Sequence, residues 1–289
     1  MRFASIGSGS EGNGTLISCG ETLILLDCGF SAKETVRRLR EKQVEPEQLT
    51  AILVTHEHAD HIKGVSVLSS KYNVPVYLSW GTFCCKALRQ RPLDETLVNV
   101  ITPHEKFVVG DIQVQSVPVP HDAREPIQFI FSNDKWRLGV ITDTGSVTPH
   151  IISVYGNCDA LLLECNHDSE LLANGPYPYA LKRRVAGDFG HLNNQQAALL
   201  LKAVYSDRMQ HLIVTHVSQK NNHPDRVKDA LVAAIQCNPD WIQMADQACG
   251  FDWLEFESKS FESNDSESKD SESNSSEEKE FSIETVSIA

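Results

Sequence analysis

The sequence predicts an α/β fold in which two mixed β-sheets pack face to face and helices cover their outer faces. Two observations favour this fold: β-type runs alternate with helical patterns, and strand meanders followed by single helices occur in both halves without a sequence repeat. A single parallel sheet accounts less well for the meanders, although periodicity alone leaves that choice open.

The individual elements follow from hydrophobic periodicity and from the breaks between periodic segments. Short β-type runs predict eleven strands, at 14–18, 22–26, 51–54, 74–78, 107–109, 112–117, 127–132, 137–142, 160–163, 211–214 and 249–256. Helical spacing of apolar residues predicts seven helices, at 32–41, 64–72, 82–89, 147–155, 179–185, 194–204 and 224–235.

The composition changes near residue 257. Residues 258–280 are almost entirely Ser, Glu, Asp, Asn and Lys, so they bury too little apolar surface to offset chain entropy. We therefore predict one domain over residues 1–256 and a disordered acidic, Ser-rich tail over 257–289, whose last residues are a docking peptide or unselected sequence. Residues 255–289 hold 11 acidic residues and 3 lysines, or −8 of the net −13, so the remainder carries −5. This mildly acidic body neither requires nor excludes an anionic substrate.

The cysteines and the apolar runs indicate the compartment. The eight cysteines form no CxxC pair and no disulfide framework, which is typical of free thiols in a reducing compartment. No apolar run reaches the roughly 20 residues that span a bilayer, and the first residues lack the apolar stretch of a signal peptide. We expect a cytoplasmic protein without a membrane partner.

A cluster of metal-ligand side chains follows the strand predicted at 51–54. The run His56-Glu57-His58-Ala59-Asp60-His61 places three imidazoles and a carboxylate within six residues, a set that suits zinc or a similar ion. A polar loop with chance histidines is improbable, because the whole chain has only 11 histidines. A helical zincin motif needs His at i and i+4, but position 60 is Asp, so these ligands act from a loop.

The spacing His-x-His-x-Asp-His after a hydrophobic strand resembles the signature of the metallo-β-lactamase superfamily. Further strand-end residues of that family have matches in order, namely Asp27, His121, Asp143 and His216. Each match is weak alone, but the ordered set is specific, and the resemblance covers about residues 1–254. It implies the superfamily's αββα sandwich, with two packed mixed sheets and helices on the outer faces.

The resemblance also implies a role for each matched residue. It implies a first metal ion held by His56, His58 and His121, and a second held by Asp60, His61 and His216. Asp143 would bridge the two ions, and Asp27 would support the metal loop from behind. The implied cofactors are two divalent ions, Zn²⁺ or Mn²⁺, which together make a water nucleophilic near neutral pH. Asp60 would also hold or deprotonate that nucleophile.

Other segments bear on the substrate. The block Gly190-His191-Leu192-Asn193-Asn194 looks like the phosphodiesterase branch of the superfamily, in which the matching His191 would contact the scissile phosphate and donate a proton to the leaving group. Capping of the next helix is the simpler reading of the same residues. Asn193 stands where many relatives have Ser. The Gly/Ser loop at 5–14 is either an anion-binding loop or a hairpin connection. The remaining candidates for substrate contact are Asn13, His167, Lys182, Arg183 and Asn193.

These segments, with residues 215–222, are similar to the YycJ/WalJ-type branch, which is linked to 5′-to-3′ exonuclease activity on DNA. We therefore predict a dinuclear-metal phosphodiester hydrolase, a nuclease acting on DNA. The alternatives are a small-molecule cyclic phosphodiesterase of the phosphoribosyl type, a thioester or lactam hydrolase, and a non-catalytic metal-binding scaffold. The sequence leaves the oligomeric state open.

Overall fold

The computed structural model describes residues 1–258, so the tail predicted beyond residue 258 lies outside the described residues. The strands are β1 (Arg2–Gly7), β2 (Gly14–Cys19), β3 (Thr22–Leu26), β4 (Ala51–Leu53), β5 (Val76–Ser79), β6 (Val98–Ile101), β7 (Lys106–Val109), β8 (Ile112–Pro118), β9 (Ile127–Ser132), β10 (Arg137–Ile141), β11 (Ala160–Glu164), β12 (His211–Thr215), β13 (Ile242–Met244) and β14 (Phe251–Glu255). The helices are α1 (Ala32–Glu41), α2 (Ala59–Ile62), α3 (Val65–Tyr72), α4 (Trp80–Phe83), α5 (Lys86–Gln90), α6 (Pro149–Tyr155), α7 (Ser169–Asn174), α8 (Tyr179–Val185), α9 (Asn194–Val204) and α10 (Pro224–Ile235).

The strands form two seven-stranded sheets, in the orders β14-β1-β2-β3-β4-β5-β6 and β13-β12-β11-β10-β9-β8-β7. In the first sheet β14, β1, β2 and β3 pair antiparallel, whereas β3 to β6 pair parallel. In the second, β7 to β10 pair antiparallel and β10 to β13 pair parallel. Both sheets are therefore mixed, as the sequence predicts.

Three apolar layers hold the domain together. One lies between the sheets and includes Phe3, Phe129 and Leu162. A second packs the first sheet against α1 and α3, and a third packs the second sheet against α6, α9 and α10. Strand β11 shows the alternation that builds these layers, because Leu162 belongs to the central layer while Leu161 and Leu163 belong to the helix-covered one. The αββα architecture expected from the resemblance is confirmed.

The structure also differs from the predicted elements. Strands β1, β6 and β13 and helices α2 and α7 were not predicted, because each is short or carries too few periodic positions to stand out. The single helix predicted at 82–89 is instead α4 followed by α5. The Ser79 hydroxyl caps the first of these helices and the Cys85 thiol caps the second, which starts the chain on a new turn. Within residues 1–258, no helix combines the length and hydrophobicity needed to span a bilayer.

Candidate active site

The first group of ligand-type side chains is formed by His56, His58 and His121. Nδ1 of His58 lies 3.0 Å from Nε2 of His56 and 3.2 Å from Nε2 of His121. His56 follows β4 and His121 follows β8, so two different sheets contribute to the group. The other ring nitrogen of His121 is 2.9 Å from the carbonyl oxygen of Gly190, which orients the ring with Nε2 towards its partners.

The second group is formed by Asp60, His61 and His216. Oδ2 of Asp60 lies 3.5 Å from Nε2 of His61 and 3.4 Å from Nε2 of His216. Asp60 and His61 lie on the short helix α2, whereas His216 directly follows β12. The backbone of His216 is left-handed, with φ 51°, and its amide donates to Oγ of Ser8. The three side chains are brought together only by the packing of the two sheets.

Asp143, which follows β10, lies between the two groups. Its Oδ2 is 3.4 Å from Nε2 of His61, and its Oδ1 is 3.4 Å from Nδ1 of His216. Ligand-type atoms of Asp143, His56 and His61 also lie within 4.8 Å of one another. Among the described residues, Oδ2 of Asp143 accepts no hydrogen bond although it is buried. A buried carboxylate oxygen without a donor is an arrangement that a cation would stabilise.

Asp27 supports this centre from behind. It follows β3 and has a left-handed backbone, with φ 62°. Its Oδ2 is 2.8 Å from Nδ1 of His61, and its Oδ1 accepts from the backbone amide of Thr55, at 2.9 Å. The carboxylate thus fixes the ring of His61, with Nε2 facing Asp60, and anchors the loop that carries the first group. This is the position that the resemblance implies for Asp27.

The electrostatics of the centre favour positive charge. Burial opposes ionisation of Asp143, but the neighbouring His216 and His61 hold the pKa of its carboxyl well below its usual value. Burial also disfavours charge on His61, yet Asp143, Asp27 and Asp60 raise its pKa well above the usual value. Burial lowers the pKa of His56 and keeps that imidazole neutral, which is the form that binds metals.

The residues present fit two divalent cations. The donor set consists of imidazole nitrogens and carboxylate oxygens, the ligands preferred by zinc and by similar ions. It is divided into two groups, with Asp143 in reach of both, and the buried oxygen of Asp143 that accepts no hydrogen bond is an atom that a cation would stabilise. All seven ligand candidates proposed from the sequence are brought together at one edge of the two sheets.

His191 lies beside this centre and is held by Glu164, a residue that the sequence analysis did not single out. Nδ1 of His191 is 2.6 Å from Oε1 of Glu164, whose side chain is fully buried at the end of β11. Oε2 of the same carboxylate accepts from the backbone amide of Thr144, at 2.9 Å. The imidazole is only partly exposed and lines the cleft above the metal-ligand groups. An ion-pair partner 27 residues away leaves no local signal in the sequence.

A cleft of about 350 Å³ opens onto the centre. Its lining includes His58, Asp60, Asp143, His191 and His216, so the ligand-type groups and the candidate proton donor share one opening. Other lining residues come from α8 and its flanks and from the segment after β12, among them Tyr177, Arg184 and Ser218. Arg184 forms an ion pair with Asp122 beside the first group.

The candidates for substrate contact do not all reach this cleft. Lys182 donates to the carbonyl of Ala173 and Arg183 lies near the ring of Tyr179, whereas Arg184, which the sequence did not separate from its neighbours, lines the cleft. Asn193 caps α9 in a capping box with Gln196. His167 is buried and lies outside the lining.

Asn13 is buried next to the second group. Its side-chain amide donates to the carbonyl oxygen of Asp60 at 3.2 Å and lies 3.1 Å from Nε2 of His61. In the surrounding Gly/Ser loop, the amide of Gly9 already donates to Oδ1 of Asn13. The amides of Ser8, Glu11 and Gly12 also have partners, and the loop connects β1 to β2 with Ser10 in the lining of the cleft. Asn13 positions Asp60 in this arrangement.

Glycine at position 29 permits the close approach of two of these loops. A Cβ atom at Gly29 would lie 1.7 Å from the carbonyl oxygen of Asp60. The amide of Gly29 donates to the carbonyl of Asn13, whose own amide donates to the carbonyl of Asp60. The position of Asp60 therefore depends on the absence of a side chain at position 29.

Comparison with known proteins identifies the family. The profile of the Beta-lactamase superfamily domain matches residues 22–217. This chain belongs to that superfamily. Exodeoxyribonuclease YycJ of Bacillus anthracis is 37% identical over 230 residues, which cover 77% of this chain and 84% of that protein. Exodeoxyribonuclease WalJ of Streptococcus pneumoniae serotype 2 is 34% identical over 226 residues, with 77% and 83% covered. The chain is a member of the YycJ/WalJ-type branch, as its motifs predict.

A solved structure supports the fold independently. The metallo-β-lactamase fold protein YhfI from Bacillus subtilis superposes with a TM-score of 0.67 at 18% identity, covering 88% of this chain and 98% of that one. At this identity the likeness shows the fold and does not name a substrate.

Proposed function

We propose that this protein is a dinuclear-metal phosphodiester hydrolase that removes nucleotides from the 5′ end of DNA. The observation that carries the proposal is the cleft in which His191, paired with Glu164, faces two groups of metal-ligand side chains. The relatives that cover most of the chain are named exodeoxyribonucleases. The predicted enzyme class, a hydrolase of ester bonds, agrees with those names.

In the proposed site, the first ion would be held by His56, His58 and His121, and the second by Asp60, His61 and His216, with Asp143 shared. Two bound divalent ions, Zn²⁺ or Mn²⁺, would make a water nucleophilic and stabilise the charge on the attacking and leaving oxygens.

The protein's own residues supply the rest of the chemistry. As an imidazolium, His191 donates Nδ1–H to the carboxylate of Glu164, and the proton on its opposite nitrogen, Nε2, can be given to the departing oxygen of the phosphodiester. Asp60 holds the attacking water in line with phosphorus. Its carboxylate stays ionised for this role, because burial is outweighed by His61 and His216, which lower its pKa. Arg184, on the cleft wall, is placed to bind a phosphate oxygen once it leaves Asp122.

The reducing cytoplasm is the proposed compartment. All eight cysteines are free, and four of them are buried in the core. Buried thiols that form no disulfide bond are typical of proteins kept in a reducing environment.

The proposal is tested with the purified full chain and Mn²⁺ or Zn²⁺. Release of mononucleotides from 5′-phosphorylated DNA labelled at its 3′ end is compared with hydrolysis of a cyclic ribose phosphate and of bis(p-nitrophenyl) phosphate. We expect DNA to be degraded from its 5′ end. Faster turnover of the cyclic ribose phosphate would favour a small-molecule phosphodiesterase, and no hydrolysis of any phosphodiester with two ions bound per chain would refute the proposal.

A matched pair of variants assigns the proton donor. His191→Ala is expected to lower kcat by about 10²- to 10⁴-fold while both ions stay bound, because it removes one general acid. His223→Asn, at an exposed histidine that caps α10, keeps the cap and is expected to leave kcat unchanged. Equal losses in the two variants would contradict the role given to His191.

A further inference from the structure

The loop between β1 and β2, which we call the Ser8–Asn13 loop, contacts the whole second group of ligand candidates. Oγ of Ser8 accepts the backbone amide of His216, at 3.0 Å, and the side-chain amide of Asn13 donates to the carbonyl oxygen of Asp60, at 3.2 Å. The same side-chain amide lies 3.4 Å from Oδ2 of Asp60 and 3.1 Å from Nε2 of His61. The geometry of the second group therefore depends on where this loop lies.

A turn just before β14, at the other end of the domain sequence, is bonded to this loop. The carbonyl oxygen of Asp246 accepts the amide of Ser8, at 3.2 Å. The side chain of Gln247 forms two further hydrogen bonds: its Oε1 accepts the amide of Glu11, at 3.1 Å, and its Nε2 donates to the carbonyl oxygen of Gly12, at 3.4 Å. Gln247 is only 9% exposed, so its side chain is enclosed between the turn and the loop.

Gly9 packs against both Gln247 and Asn13. Its backbone has φ 140°, a conformation that favours glycine, and a Cβ atom there would lie 2.4 Å from Oε1 of Gln247. The amide of Gly9 donates to Oδ1 of Asn13, at 2.8 Å, and its carbonyl oxygen accepts from the side-chain amide of Asn13, at 3.1 Å. A chain of contacts thus runs from Gln247 through Gly9 and Asn13 to Asp60.

The polar contacts of Gln247 are confined to this loop. Within residues 1–258, the hydrogen bonds of its side chain join only the backbone of Glu11 and of Gly12. No hydrogen bond in this part of the chain joins the loop to the first group of ligand candidates. Because groups that orient metal ligands from behind tune the affinity for the metal, Gln247 should act on the second group alone.

We propose that Gln247 is a positioning residue for the second metal ion. It fixes the Ser8–Asn13 loop against the turn before β14, and the loop in turn holds the three side chains of the second group in the arrangement that binds the ion. The ion of the first group does not depend on Gln247. The inference rests on the two-ion site of the proposed function and adds a residue that sets the affinity for one of the ions.

The test measures metal binding by the full chain. Native mass spectrometry counts the ions bound per chain as free Mn²⁺ is raised, which gives a Kd for each of the two binding steps. Gln247→Leu removes both polar groups of the side chain, and Gly9→Ala displaces Gln247 from the loop with a methyl group. The matched control is Gln243→Leu, the same substitution at an exposed glutamine on β13. Urea unfolding in EDTA measures the stability of each variant without metal.

We expect Gln247→Leu and Gly9→Ala each to raise one of the two Kd values about 10-fold and to leave the other unchanged. Gln243→Leu should bind both ions like the wild type. The Asp60→Ala background identifies the affected ion, because it removes a ligand of the second group and should leave one ion bound. In that background Gln247→Leu should not change the remaining Kd, since the group through which it acts is already disrupted.

Three results would overturn the positioning role: fewer than two ions bound by the wild type, unchanged Kd values in Gln247→Leu, or an equal rise of both Kd values, which a general loss of stability would produce. Hydrolysis of bis(p-nitrophenyl) phosphate by the metal-loaded wild type tests the proposed function separately. If one Kd depends on Gln247 but no phosphodiester is cleaved, the proposed function fails and the positioning role stands. If phosphodiesters are cleaved but neither Kd depends on Gln247, only the positioning role fails.

Discussion

Replacing Glu164 by glutamine tests whether this residue positions His191. The carboxylate receives Nδ1–H of His191 on Oε1, at 2.6 Å, and the amide of Thr144 on Oε2. Glutamine keeps the size and can still accept from Thr144. It then turns its NH₂ group towards His191, so Nδ1 must accept instead of donating, and the imidazolium that gives up its Nε2 proton loses its carboxylate partner.

The size of the effect follows from that hydrogen bond. A hydrogen bond to a charged group is worth about 1.5–3 kcal/mol, and each 1.36 kcal/mol lost in the transition state is a tenfold change in rate. We therefore expect Glu164→Gln to lower kcat by about 10- to 150-fold with little change in KM. The loss should not exceed that of His191→Ala, since Glu164 acts only through the imidazole.

The assay is a double-mutant cycle on hydrolysis of 5′-phosphorylated DNA. If Glu164 acts through His191, Glu164→Gln should lower kcat in the wild type and have no further effect in the His191→Ala background. Metal content is measured in parallel, because Oε1 of Glu164 also lies 3.7 Å from Nδ1 of His216. The same fold loss in both backgrounds, or loss of bound metal, would refute the positioning role.

Four further predictions concern the centre and the domain. Asp27→Asn should weaken metal binding about 10- to 100-fold in a chelator competition, since it removes the partner that orients His61; unchanged affinity would contradict this role. Gly29→Ala should cost at least about 1–3 kcal/mol in urea unfolding and displace Asp60, whereas Gly156→Ala, where a Cβ meets no atom closer than 3.7 Å, should be tolerated. Burial lowers the pKa of His167 to about 4, so between pH 6.5 and 4 this histidine is protonated in the unfolded chain but not in the folded one. The free energy of unfolding therefore decreases as the pH falls through this range, by on the order of 3 kcal/mol. In EDTA, His167→Gln should flatten the dependence of this free energy on pH, and an unchanged dependence would assign it to other groups. Removing residues 259–289, which hold nine acidic residues and three lysines, should leave the unfolding midpoint unchanged and tighten DNA binding; a lower midpoint would show that the domain extends beyond residue 258.

The sequence alone was sufficient to predict the fold class and to propose most of the candidate centre. The six residues from His56 to His61 supply four ligand candidates. His56 and His58 lie in the loop after β4, but Asp60 and His61 lie on the short helix α2, so the prediction that all four act from a loop was wrong for those two. His121, Asp143 and His216 were proposed because, taken in order, they match strand-end residues of the superfamily, and strand ends are visible in hydrophobic patterning. The division between domain and tail, which rests on composition alone, stays a prediction.

Other features of the site depend on how segments far apart in the chain pack against one another. Glu164 ends β11 and His191 precedes α9, and they meet because the segment after β11 bonds to the approach to α9, where the amide of Asn166 donates to the carbonyl of Leu192. The side-chain directions on α8 decide that Arg184 lines the cleft while Lys182 and Arg183 do not. Asn13 reaches Asp60 only because Gly29 lets two loops touch.

The sequence by itself thus supplied the candidate metal ligands, because residue type and short-range spacing are local properties. Only the tertiary structure decided which buried carboxylate holds His191 and which cation faces the cleft. Those pairings join residues far apart in the chain, and their contacts are set by strand order and layer packing.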